Sequence, residues 1–490
     1  SVAWQDEDHN YTAFALDKAM APGEQLKLDF TTSIENPGFR NRNNDSSVVY
    51  NGTFFNNVEA APAIGFTRQL MLTDRQERRE HGLEPVDRMP KLEDERALRN
   101  SYLRPDSDWI TFETVVSTEP GQIVIAPGYL EKEWTDNDRL YFHYKMDAPI
   151  QNFFSYLSAD YTVKRDKWND VDIAIYYHDP HSYNVDRMIS GVKDSLEYFS
   201  REFSPYQYRQ LRILEFPAYA SFAQSFPNTI PYSESIGFVA DIDEDDVDYV
   251  FYVTAHEVAH QWWAHQVMGA NTQGGTVVVE TLAQYSALMV MEQKYGPQVM
   301  RRFLKYELDN YLRNRGSERI AEMPLMRVEN QGYIHYRKGS LVMYALKDYL
   351  GEDAVNRALR KLIDNHAYQY TPYTTSLDLI RYLREEAATR EQQDLITDLF
   401  ERIVLFDLKV DETTVSESAD GQFDVEIKIS ARKYEADGDG LETELPIALS
   451  IDVGAFNKNP DEAKHGEEPE IYLEKHRIDQ AETTITLTLD

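Results

Sequence analysis

The stretch Thr254–Tyr285, TAHEVAHQWWAHQVMGANTQGGTVVVETLAQY, sets the terms for the rest of this 490-residue chain. It contains His256-Glu257-Val258-Ala259-His260, an HExxH box, followed by an acidic residue, Glu280, in a second apolar run. On a helix, residues four apart share a face, so His256 and His260 can aim two imidazoles at one metal ion. Glu257 falls on a neighbouring face, near enough to hold a metal-bound water without being a ligand. The flanks Tyr249–Val253 and Trp262-Trp263 are apolar or aromatic. The helix is therefore expected to be buried, and buried charges need partners. A polar surface helix matching HExxH by chance has no need of such flanks. The motif reads as a zinc site.

A catalytic zinc takes three protein ligands and keeps one position open for water. The chain has no cysteine, so the third ligand must be a histidine or a carboxylate. His265 follows His260 by five positions, about 140° further round a helix, and is expected to face away as a surface or supporting histidine. Glu280, beyond a Gly-rich turn from Gly269 to Gly275, can reach back from a second helix and is the best candidate.

Composition narrows the partners. With 84 acidic and 50 basic residues the net charge is −34, which argues against nucleic acid or an anionic membrane surface. No apolar run reaches the roughly 18 residues of a membrane-spanning helix, and no signal peptide is visible. The first residue is Ser, so the sequence reads as a processed chain or a segment of something longer.

Three regions are expected. Residues 1–165 read as strands and turns, with period-two alternation in Gln25–Phe30, Trp109–Val115 and Leu140–Tyr144. Thr73–Leu103 interrupts them as a charge-dense helical excursion, its charges read as a solvated face. From 166 to 405 come strands at Val171–Tyr177, Leu211–Phe216 and Ser235–Ala240. An amphipathic helix covers Val185–Phe203, and after the metal helices further ones are expected over Gly296–Asn314, Lys338–Tyr349, Glu352–His366 and Thr375–Ala388. Between 406 and 490 strands return, at Phe423–Ser430, Leu445–Val453 and Thr483–Leu489, as a small β-sandwich. The fold class is multidomain α+β, with the metal between a small sheet and a helical lobe.

Two further residues can serve such a site. Glu234, read as the start of a sheet-edge strand, can take a substrate ammonium in a charge-assisted hydrogen bond, or it is an ordinary surface carboxylate. Tyr336, at the start of a helix, can donate its hydroxyl hydrogen to an oxyanion, or it is one more packing tyrosine among 32.

The set of HExxH, the later Glu280, the upstream Glu234-Ser-Ile-Gly237, Tyr336-Arg-Lys-Gly339 and His260-Gln261-Trp262 resembles the aminopeptidase N family of zinc peptidases (gluzincins). The likeness spans about residues 165–400. It implies a sheet domain, a thermolysin-like catalytic domain and a small β-sandwich. It puts one zinc per chain on His256, His260 and Glu280, the general base on Glu257, the transition-state tyrosine on Tyr336 and substrate binding on Glu234 and Gly237. The wording HQWWAHQ and ETLAQYSALMVME is most similar to peptidase domains that some bacteria fuse to permease segments of transporters. That implies a soluble domain whose membrane part lies outside this sequence, or otherwise a cytoplasmic protein.

Three departures stand out. Glu280 is one residue further from His260 than is usual in the family, Ser233-Glu234-Ser235 replaces Met-Glu-Asn, and no large C-terminal helical domain follows. The expected activity is removal of N-terminal residues from peptides by metal-activated water. Alternatives are a zinc endopeptidase or other zinc hydrolase on the same site, and a transporter-associated peptide-binding module.

Overall fold

A computed structural model describes residues 1–489 except 9, 37, 39–46, 66–70, 244, 245, 319, 418–420 and 461–468. Contacts divide the chain into two compact units, Ser1–Glu35 and Asn36–Asp490. The first contains an antiparallel hairpin of β1 (Val2–Asp6) and β2 (Tyr11–Phe14). Gln25–Phe30, expected as a strand, is not one. Alternation alone makes no strand where no neighbouring backbone completes the ladder.

The second unit opens with β-rich chain. Strands β3 (Thr53–Asn56), β4 (Glu113–Thr118), β5 (Ile123–Ile125), β6 (Tyr129–Asp136), β7 (Arg139–Lys145) and β8 (Ser155–Ala159) form two three-stranded sheets, ordered β3-β8-β5 and β4-β7-β6. The excursion from Thr73 to Leu103 differs from expectation. Its only α-helix among the described residues is the short Arg75–Glu80, and Met89, Leu92 and Ala97 are buried. Prolines 85 and 90 stop the helical pattern, and long-range pairing takes over. Gln273 N donates to Pro90 O at 2.8 Å, and Tyr102 N donates to Gly269 O at 2.8 Å.

A mixed sheet then carries β9 (Thr162–Trp168), β10 (Val171–Tyr177), β11 (Gln210–Phe216) and β12 (Thr229–Ser233) in that order. The β9–β10 pair is antiparallel, while β10, β11 and β12 run parallel to one another. Between β10 and β11 lies helix α1 (Val185–Glu202), whose Met188, Ile189, Val192, Leu196 and Phe199 recur at helical spacing and are buried. Each such side chain contributes roughly 1.5–3 kcal/mol. Gly191 lets α1 approach the next helix closely, since a Cβ there would lie 3.0 Å from Thr254 Cγ2.

The third strand of this region is not where the sequence pattern put it. It is Thr229–Ser233, and Ser235–Ala240 begins instead as a π-helical turn over Glu234–Phe238. Two local features explain this. The Ser233 side chain caps the turn by accepting from Ser235 N. Gly237 packs on Tyr232, whose ring would stand 2.5 Å from any Cβ at that position.

Helices α2 (Tyr249–Ala259) and α3 (Leu282–Tyr295) form the centre of the largest core and are buried on nearly every face. Around them pack α4 (Pro297–Arg315), α5 (Gly339–Leu350), α6 (Glu352–His366) and α7 (Ser376–Glu386), close to their expected spans. Beyond them β13 (Ile403–Glu417), β14 (Phe423–Ala436), β15 (Glu442–Leu445) and β18 (Glu482–Leu489) make an antiparallel sheet. A hairpin of β16 (Leu449–Phe456) and β17 (Glu470–Ile478) shares its apolar core through Val453 and Ile478. No described helix is long and apolar enough to cross a membrane. The mixed α+β class is as expected.

Candidate active site

Helix α2 starts under an Asp248 cap, the carboxylate accepting from Phe251 N at 2.9 Å, and delivers His256 and Glu257 on its last turn. His260 is the residue that ends the helix. Its Nδ1 lies 3.0 Å from the Trp263 carbonyl oxygen. A carbonyl only accepts, so Nδ1 carries the hydrogen and Nε2 is left with its lone pair facing His256. The two Nε2 atoms are 3.1 Å apart. Glu280 arrives from a π-helical turn, Val277–Thr281, that leads into α3. Its Oε2 stands 3.6 Å from His256 Nε2 and 3.4 Å from His260 Nε2.

These distances suit one small dication. Ligands about 2.0–2.2 Å from a tetrahedral zinc stand about 3.3–3.6 Å from each other. Glu280 Oε2 is buried without a hydrogen-bond partner, as is His256 Nδ1. Burial resists the charge on Glu280, yet the two imidazoles, His260 foremost, hold its carboxyl well below the usual range. Burial lowers His256 and also works against His260, but Glu280 carries His260 up to about 9. A buried carboxylate between two imidazoles calls for positive charge, which a metal ion supplies in place of the His260 proton, and the donor set of two nitrogens and one oxygen fits zinc. The extra residue between His260 and Glu280 is absorbed by the turn, and all three ligand atoms lie within 4.8 Å of one another.

Glu257 lines the same cleft without joining the triad. Its Oε2 has no partner, and burial pushes its carboxyl up to about 7. Tyr336 comes from another π-helical turn, Tyr333–Lys338, with its ring 5.9 Å from that of His256. Burial, and then the Glu280 carboxylate, keep its hydroxyl protonated by raising it well above the usual tyrosine value. Thr281 Oγ1 donates to His335 O at 2.6 Å, tying the turn that carries Glu280 to the turn that carries Tyr336. Such π-turns are frequent at functional sites because they re-aim side chains within otherwise regular helix.

The other expected site residues are not brought to the cleft. Glu234 follows the end of β12 rather than starting a strand, and its Oε1 accepts from Ala218 N at 2.9 Å. Gly237 is buried, and its carbonyl accepts from Asn184 Nδ2 at 2.7 Å. Neither lines the cleft of about 580 Å³ at the metal triad. The wall there is Ala223-Gln224-Ser225, held against α2 by the residue after His260. Gln261 Nε2 donates to Ser225 Oγ at 2.6 Å and to Phe226 O at 2.9 Å, and its Oε1 accepts from Asn228 N at 3.0 Å.

His265 also lines the cleft, buried rather than on the surface, with Nε2 3.1 Å from Ser225 O. The helix ends before it, so its helical angle no longer applies. Burial lowers it to about 4 and keeps it neutral. Tyr102, Arg88 and Asn330 line the cleft as well. Nothing in the local sequence marked them, because long-range contacts bring them there.

Residues 188–402 match the model of the peptidase family M1 domain. That stretch, 215 of the 490 residues (188 through 402), is similar to M1 peptidase domains. That match covers both helices of the metal triad and the Tyr336 turn. No curated protein sequence matches the chain. Among solved structures, the M1 zinc metallopeptidase of Deinococcus radiodurans is 17% identical, with 60% of this chain and 64% of that one covered and a TM-score of 0.47. Aminopeptidase A of Legionella pneumophila, solved with aspartic acid, is 17% identical, with 78% of this chain and 43% of that one covered and a TM-score of 0.53. The chain thus spans less than two thirds of either solved relative, and the second likeness extends the shared fold well beyond the M1 domain itself.

Proposed function

We propose that the chain is a zinc-dependent peptidase in which His256, His260 and Glu280 hold the metal. The convergence of their three ligand atoms, 3.1 to 3.6 Å apart, carries the proposal. When bound, zinc supplies a Lewis acid that polarises the scissile carbonyl and lowers the pKa of a water. Glu257 takes the proton of the attacking water and returns it to the departing amine, and its raised carboxyl suits that exchange near neutral pH. Tyr336 donates its O–H to the carbonyl oxygen as charge develops there. The Gln261 contacts keep the Ala223–Ser225 wall in place beside the reacting bond.

Removal of N-terminal residues is the first reading, supported by the M1 domain and its aminopeptidase relative. One observation favours a second, cleavage within peptides. Glu257 and Glu280 are the only carboxylates that line the cleft among the described residues, so no further carboxylate is on hand for a free α-amine. Zinc-loaded protein given matched free and N-acetylated peptides separates the two. Cleavage of free peptides alone, one residue at a time, supports the first reading. Similar rates on both, with internal products, support the second. Failure to cleave either kind would overturn the peptidase itself.

A further inference from the structure

Away from the catalytic cleft, the three parallel strands end on a second set of metal-type donors. His178 is the residue after β10, Glu215 is next to last in β11, and Glu234 is the first residue after β12. In register, Tyr176 faces Leu214 and Glu215 faces Tyr232. Strands about 4.8 Å apart therefore present all three side chains at one edge. His181 joins them from the 3-10 turn Asp179–His181, where residues three apart come onto one side. Carboxyl ends of parallel strands are where open α/β sheets place ligands.

We propose that His178, His181, Glu215 and Glu234 form a second divalent-metal site, independent of the catalytic one. The Nδ1 atom of His178 lies 3.2 Å from Glu215 Oε1, and His181 Nδ1 contacts the same oxygen. Glu234 Oε2 lies 3.8 Å from His181 Nδ1. The ligand atoms of His178, His181 and Glu215 all fall within 4.8 Å of one another. Backbone groups aim the carboxylates. His178 N donates to Glu215 Oε2 at 2.7 Å, and Ala218 N donates to Glu234 Oε1 at 2.9 Å, leaving one oxygen of each toward the imidazoles. Metal sites hold their ligands with outer hydrogen bonds of this kind.

Charge supports the assignment. The Glu215 side chain is 0% exposed, and among the described residues no lysine or arginine pairs with it or with Glu234. Among the described residues the two imidazoles are the side-chain charge partners of both carboxylates. A dication that displaces the Nδ1 protons of both rings can meet the two carboxylates and the freed lone pairs. Imidazole with carboxylate, and no thiolate, selects a first-row divalent ion such as zinc over calcium or magnesium. His181 and Glu234 are 29% and 25% exposed, so one side of the site opens to solvent for ion entry. None of the four residues lines the catalytic cleft.

Zinc titrated calorimetrically into chelator-stripped protein tests the site. The native chain is expected to take two tight equivalents. His181→Ala, partly exposed and so a mild change, is expected to take one, with circular dichroism unchanged. A double variant, His256→Ala with His260→Ala, is expected to keep one equivalent, held by the second site. A single equivalent in the native chain, two in His181→Ala, or none in the double variant would overturn the proposal.

Discussion

Glu257→Gln is expected to bind zinc as the native chain does while cleaving peptides about 10²–10⁴-fold more slowly, the usual worth of a positioned base. Glutamine keeps the shape of the side chain and removes only the proton acceptor. Glu257 lies outside the ligand triad, so metal retention follows from the geometry. Its Oε2 has no hydrogen-bond partner within the protein, which leaves it free for a water. Burial lifts the carboxyl to about 7, where it can both accept and release a proton. Peptide hydrolysis and zinc content measured on the same sample check this. A variant that keeps zinc and more than a tenth of the activity would assign the base elsewhere.

Tyr336→Phe is the second large effect. The ring contacts with His256 and His335, at 5.9 and 4.4 Å between centroids, survive the change, so the fold around the site is expected to hold. Only the hydroxyl is lost, and with it a donor aimed at charge that develops during reaction. Removal of one such donor typically costs about 10²–10³ in kcat. KM is expected to stay close to the native value, because an interaction made only in the transition state leaves ground-state binding alone. Steady-state kinetics on one good peptide measure the split. A raised KM with unchanged kcat would make Tyr336 a substrate contact instead.

The convergence of His256, His260 and Glu280 was legible in the sequence because its geometry is local. A spacing of four on a buried helix fixes His256 and His260, and an acidic residue opening the next apolar helix is the natural third ligand. Tyr336 was singled out through the family resemblance, since a tyrosine opening a helix reads equally as a packing residue. Glu234 shows where that kind of reading stops. The run Ser235–Ala240 has the composition of a strand, but the Ser233 cap and the close Gly237–Tyr232 contact turn the chain into a π-helical turn. The carboxylate then joins His181 and Glu215 rather than the cleft.

The cleft walls were beyond local reading altogether. Tyr102 and Arg88 sit in a charge-dense segment that looked like solvated surface, and only bonds such as Gln273 N to Pro90 O, across 183 positions (273 minus 90), fold it over the site. Ala223–Ser225 carries no ionisable side chain to mark it in the sequence, and it is held at the cleft by the distant Gln261. The second donor set was hidden for another reason. Its residues are spread over 57 positions, from His178 to Glu234, and converge only when three strands are aligned in register.

The proposal that zinc on His256, His260 and Glu280 drives peptide hydrolysis is tested most directly by returning zinc to chelator-stripped protein while following cleavage. The expected result is no turnover without zinc, a rise to a plateau as zinc is added, and no turnover at any zinc concentration in Glu280→Ala. Cleavage by the stripped protein, or native-level cleavage by Glu280→Ala, would contradict the assignment of this site.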